Sequence, residues 1–106
     1  MPSLTFIELP PFTKDVYKYL TEASYQELQL YLASYPQAGD VIPGTGGCRK
    51  LRWAAKGHGK RGGARIIYYY RSARGQIWLL TLYAKNEEAN LPSHYIRSLR
   101  EEINDD

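Results

Sequence analysis

The residues best equipped for chemistry lie between Lys56 and Arg65, where the chain reads KGHGKRGGAR. Lys56, His58, Lys60 and Arg61 stand on a glycine-rich loop, and Arg65 follows at the start of an apolar run. A guanidinium clamps two phosphate oxygens, whereas an ammonium acts as a movable point charge. Together they suit a scissile phosphate that gains negative charge in its transition state. The same composition also describes a solvated hairpin loop whose charges only keep it soluble, and the loop by itself leaves both readings open. Arg65 is different, because an arginine opening an otherwise apolar strand has to be paired or face a cleft.

A second cation, Lys85, ends the next apolar run, directly after Tyr83 and Ala84. In an antiparallel pair the start of one strand lies beside the end of the other, so Arg65 is expected near Tyr83 and Lys85. Tyr83 would then offer a ring to a base or a hydroxyl to a phosphate. His58 and His94 suggest a two-histidine ribonuclease, but one falls in the loop and the other opens the last helix. Glu87 and Glu88 read as partners for Lys85 rather than as catalytic acids, with a general base there left open. The segment 44–47 (GTGG) lacks the spacing of a phosphate-binding P-loop and reads as a tight turn feeding a strand.

Charge distribution sharpens this picture. No carboxylate occurs between Asp40 and Glu87, and ten of the fourteen lysines and arginines fall inside that interval. The net charge of +3 therefore conceals a polarised molecule whose basic part favours a nucleic acid or another phosphate-bearing partner. At 106 residues the chain makes one domain, residues 1–106, with a single core. The single cysteine, Cys48, excludes an internal disulfide and leaves too few soft ligands for structural zinc, so a reducing compartment is the simplest reading. The first residues, MPSLTFIELPPF, lack the basic start and long apolar run of an export signal, and no run of about 18 apolar residues occurs. The expectation is a cytoplasmic protein without a membrane segment.

The elements that must carry these residues follow from periodicity. Residues 4–9 are rich in β-formers and end at Pro10-Pro11, which predicts a strand followed by a helix bearing Phe12, Val16, Tyr19 and Leu20. Ser24 and Glu27 have capping-box spacing, which predicts a second helix from Ser24 with Tyr25, Leu28, Tyr31, Leu32 and Tyr35 on one side and a stop at Pro36. Residues 36–40 read as a turn. Residues 48–54 alternate, Leu51 and Trp53 on one face and Lys50 and Arg52 on the other, as a half-exposed strand does. Residues 64–71 and 76–84 are the strongest strand signals and predict a central hairpin turning at residues 72–75. Ile96, Leu99 and Ile103 then mark a C-terminal helix. The expected class is α+β, a small antiparallel-rich sheet in the order β-α-α-β-β-β-α with helices packed against it.

Taken together, GDVI at 39–42, GTGG at 44–47, RKLR at 49–52, KRGGARIIYY at 60–69 and LLTLYAKNE at 79–87 resemble the RelE/ParE superfamily of bacterial type II toxins, and more closely its HigB-type branch. The resemblance covers nearly the whole chain. It implies a RelE-like fold and a ribosome-dependent endoribonuclease that cleaves translated mRNA, needs no metal or other cofactor, and is neutralised by a cognate antitoxin, here a HigA-like helix-turn-helix protein. It carries the catalytic arginine onto Arg65 and the loop cations onto Lys56, Lys60 and Arg61. Tyr83 and Lys85 join that catalytic group, while Arg49, Lys50, Arg52 and His58 fall to RNA and ribosome binding. Where RelE has an arginine following a lysine, this chain has Asn86 after Lys85, so that charge is either missing or supplied by Lys85 or Arg61. The ParE members of the same superfamily inhibit gyrase without cutting RNA, and a basic RNA-binding module without chemistry is a third reading.

Overall fold

The computed structural model describes residues 4–55, 63–87 and 90–103. The predicted loop residues Lys56, His58, Lys60 and Arg61, and Glu88, lie outside them. Strand β1 (Thr5–Glu8) leads into α1 (Pro10–Tyr19) and α2 (Glu22–Ser34), then β2 (Asp40–Val41), β3 (Arg49–Trp53), β4 (Ala64–Arg71), β5 (Gln76–Ala84) and α3 (Ser93–Arg100). The five strands form one sheet in the order β1-β5-β4-β3-β2, antiparallel throughout except for the parallel pairing of β1 with β5. The sequence-based order thus holds with one addition, since Asp40, read as the end of a turn, forms with Val41 a short strand against Arg49 and Lys50.

Three layers result. Phe12, Val16, Leu20, Tyr25, Leu28 and Leu32 from α1 and α2 bury against Ile66, Tyr68, Ile77, Leu79 and Leu82 on one face of the sheet. Ile96 and Leu99 from α3, with Ile103, bury against Ile67, Leu80 and Tyr83 on the other. Leu79 and Leu82 share a face although they are three residues apart, as do Leu80 and Tyr83. Uninterrupted alternation forbids this. A register shift opposite Ile67 and Tyr68 inserts one residue into β5 and reverses the phase of its end. The irregularity thereby brings Tyr83 to the face that Arg65 occupies.

Helix starts also differ from expectation. The cap of α2 is Thr21, whose hydroxyl accepts the amide of Ser24 at 3.0 Å, so the helix starts at Glu22 instead of at Ser24. Ser24 is thereby free to accept the indole N–H of Trp53 at 3.2 Å, tying α2 to β3. At α1 the proline pair occupies the first positions, where missing amides cost nothing.

The turn between α2 and β2 is fixed by one phenol. Tyr68 is fully buried, and its hydroxyl accepts the Gly39 amide at 2.8 Å while donating to the Pro36 carbonyl at 2.9 Å. Gly39 has to be glycine, because a Cβ there would stand 2.8 Å from the Tyr68 ring and 3.0 Å from the Lys50 carbonyl. Further on, Gly46 and Gly47 adopt positive φ, and Arg100 reaches back from α3 to donate to the Gly46 carbonyl at 3.2 Å while lying 4.0 Å from the Tyr69 ring centre. Residues 44–47 are therefore a turn pinned by α3.

Tyr68→Phe leaves two buried backbone groups without their partner and is expected to cost about 1–3 kcal/mol in urea unfolding. An unchanged midpoint would show that the hydroxyl bridge is dispensable. Burial pushes the pKa of Tyr25 up, with help from its bond to Glu8, and also that of Tyr68. Groups raised in the fold contribute stability that is complete below the unfolded tyrosine value of about 10 and is lost as pH rises beyond it. Thermal melts should accordingly be insensitive to these two groups up to about pH 9 and fall above it.

Candidate functional site

Strands β3, β4 and β5 bring three of the sequence-predicted residues into one row. Arg52 is directly opposite Arg65, and Arg65 is directly opposite Tyr83. Residues directly opposite in antiparallel strands share a face, with Cβ atoms about 4.5–5.5 Å apart. The row therefore runs across the sheet on the α3 side. Two steps along β3, Lys50 stands opposite Ile67, and its ammonium donates to the Asn90 side chain at 3.0 Å. Lys85 follows β5, exposed, with its amide bonded to the Gly63 carbonyl at 3.3 Å. That bond joins the end of β5 to the residue that precedes β4.

Arg65 carries the weight of the site. Only 7% of it is exposed, and its Nη1 is buried without a hydrogen-bond partner among the described residues. No carboxylate pairs with Arg65 or with Arg52 among those residues. Buried guanidinium nitrogens are normally bonded, and like charges placed directly opposite in a sheet repel. Both features add to the cost of folding, and both are relieved when an anion sits between the two guanidiniums. Tyr83, 7% exposed, walls the other side of Arg65 and packs with Ile96 and Leu99. Arg65 thus lies at the edge of the α3 core, where the apolar cover gives way to Arg52, which is exposed.

Other predicted residues have different surroundings. One nitrogen of Arg49, Nη1, donates to the carbonyls of Gln37 at 3.1 Å and Gly39 at 2.8 Å, which fastens the turn before β2. Glu87 is engaged by Lys18 at 3.8 Å and by the Tyr19 hydroxyl, so its charge is taken up by α1. His94 is exposed in the first turn of α3. Cys48 is buried, with its thiol pushed up by desolvation, and packs as a small apolar side chain. Asn90 escaped the sequence reading, since nothing in its neighbourhood signals that Lys50 reaches it across 40 residues. Among the described residues no cluster of histidine, cysteine and carboxylate side chains suited to a metal occurs, and no helix is long and apolar enough to cross a membrane.

No family model matches the chain. Among solved structures it is similar to the Escherichia coli toxin RelE, in a doubly arginine-to-alanine substituted form in the free state. That similarity has a TM-score of 0.61, covers 92% of this chain and 97% of that one, and comes with 13% sequence identity. The fold is RelE-like. At that identity the likeness lies in the path of the backbone, and the case for a function has to come from this chain's own side chains.

If Arg65 is kept for an anion, removing its charge should not harm the fold. Arg65→Met is expected to unfold at an equal or higher urea concentration than the parent, because burying an unpaired charge costs more than burying a thioether of similar length. Sulfate should raise the melting temperature of the parent more than that of the variant. A loss of several kcal/mol in Arg65→Met would instead make the guanidinium a structural element.

Proposed function

We propose that this chain is the toxin of a bacterial toxin–antitoxin pair, an endoribonuclease of the HigB type that cleaves translated mRNA on the ribosome. The observation that carries the proposal is the buried Nη1 of Arg65, without a hydrogen-bond partner among the described residues and placed opposite Arg52 and beside Tyr83 in a RelE-like fold. Supporting it is the absence of any carboxylate between Asp40 and Glu87.

The reaction is an in-line attack of a ribose 2′-hydroxyl on the adjacent phosphorus. One P–O bond forms, the bond to the 5′-oxygen breaks, one proton leaves the nucleophile and one is delivered to the leaving oxygen. Arg65 binds a non-bridging oxygen and holds it more tightly as charge accumulates on the phosphorane-like transition state. Arg52 neutralises the neighbouring phosphate from the rim, and Lys85 supplies a further charge at the end of β5. The Tyr83 ring supports the nucleotide on the other side of Arg65. Lys56 and Lys60 are the proposed sources of the base, since crowding among cations lowers an ammonium's affinity for its proton, and Arg61 adds charge at the same loop. His58 joins Lys50 and Arg52 in RNA and ribosome binding. The chemistry uses no metal.

A basic row of this kind also suggests how the toxin is silenced. A HigA-like antitoxin, with a helix-turn-helix domain, would place acidic side chains over Arg52 and Arg65 in the cytoplasm where both proteins act, and its association should weaken with salt.

Arg65→Ala should cut ribosome-bound mRNA at least about a hundredfold more slowly, the loss expected for about 3–4 kcal/mol of transition-state stabilisation. Arg65→Lys should recover little, because one ammonium cannot reproduce a two-point clamp. Primer-extension mapping of cuts in translated messages, with purified folded variants, is the assay. Near-native cutting by Arg65→Ala would remove it from the active site, and intact messages with altered DNA supercoiling would point to a gyrase inhibitor.

A further inference from the structure

A second feature lies at the far side of the basic row, where β2 ends. Its pairing stops at Asp40 opposite Lys50, so among the described residues Leu51, Arg52 and Trp53 have no strand on that side and form an edge of the sheet. A cavity of about 450 Å³ opens along this edge, lined among others by Tyr31, Trp53, Lys50, Arg52 and Asp40. Its volume falls in the range of roughly 300–1,000 Å³ typical of small-ligand sites. Tyr31 and Trp53 stand with ring centres 5.5 Å apart and planes at 45°, and Tyr35 continues the series 5.3 Å from Tyr31. Tyr31 keeps 39% of its surface exposed and Tyr35 keeps 61%. The bond from the Trp53 indole to Ser24 fixes that ring in place.

We propose that this cavity is a nucleotide subsite, in which a base of single-stranded RNA stacks on Tyr31 and Trp53 while the flanking phosphates lie on Arg52 and Lys50. The proposal rests on the RNA-cutting reading for the class of ligand, and on charge and continuity for its position. Arg52 belongs both to this cavity and to the row containing Arg65, so a strand whose phosphate reaches Arg65 is led over the sheet edge towards the aromatic rings. Two cations with interleaved aromatics are the ordinary means of holding unpaired RNA without reading its sequence. Asp40 repels phosphate and accepts hydrogen bonds, which turns the base, rather than the backbone, towards β2. The exposed rings of Tyr31 on α2 and of Tyr35 at its C-cap are otherwise unexplained by the core, which uses Tyr25, Leu28 and Leu32 from this helix.

The test uses full-length protein carrying Trp78→Phe, which leaves Trp53 as the sole tryptophan. The probe is a short single-stranded RNA with 2′-O-methyl riboses, which cannot be cut, compared with an abasic RNA of the same length. Intact RNA should quench Trp53 emission saturably, and abasic RNA should bind more weakly without quenching. Tyr31→Ala should weaken binding of intact RNA about tenfold, as loss of one stacking ring does, and Tyr31→Phe should restore it. Circular dichroism verifies that each variant is folded. Equal affinity of Tyr31→Ala and its parent, or equal quenching by abasic RNA, would overturn the proposal. On ribosomes, loss of docking by Tyr31→Ala would make the nucleotide ribosomal, and loss of cutting with docking intact would make it part of the message. Because binding is read without cleavage, the subsite stands or falls separately from the nuclease reading.

Discussion

A buried guanidinium, with an N–H that finds no acceptor among the described residues, constrains everything around it. β4 is the middle strand of the sheet, with β3 and β5 on its flanks and helices over both faces, so a charge near its start has little access to bulk water. Arg65 is tolerable there only because it sits at the strand's first turn of pleat, next to Ala64, where the α3 core ends and Arg52 begins. The register of β3 and β5 against β4 then decides which side chains share its environment. Both neighbours, an arginine and a tyrosine, leave the demand for negative charge unmet.

This demand links fold to function. The apolar faces are divided between α1 and α2 on one side and α3 on the other, and that division buries the start of β4 and the end of β5 while leaving Arg52 and Lys85 exposed beside them. Arg100 locks the turn before β3 to Tyr69, and Tyr68 locks the turn before β2 to Gly39. Each lock fixes β3 relative to β4, and hence Arg52 relative to Arg65. A phosphate clamp made of residues from different strands works only when such spacing is held within a fraction of an ångström.

Much of this was legible in the residues. The central hairpin announced itself by two β-branched and aromatic runs with a short turn, and from it the approach of Arg65 to Tyr83 followed by antiparallel geometry alone. The pairing of Arg52 with Arg65 was not accessible in the same way, because the glycine-rich connection between their strands permits several registers. Thr21 hid behind Ser24, since both have capping chemistry and only the packing of Trp53 on Ser24 separates their roles. Strict alternation misplaces Leu82, for which the irregularity in β5 has no clear signal in a run as uniformly apolar as 77–84. Tyr31 looked like core by its spacing, and its exposure depends on where β2 stops. The loop cations Lys56, Lys60 and Arg61 rest on sequence and resemblance, while Arg65, Arg52 and Tyr83 rest also on geometry.

The claim that Arg65 waits for a phosphate is most directly met by observing its side-chain nitrogens. Nitrogen-detected NMR of the guanidinium groups, with the uncleavable RNA added to saturation, reports on each arginine separately. The account predicts a large shift and slowed proton exchange for Arg65, a smaller change for Arg52, and little change for Arg100 on its tyrosine. An Arg65 signal that stays in place while RNA is bound would contradict it.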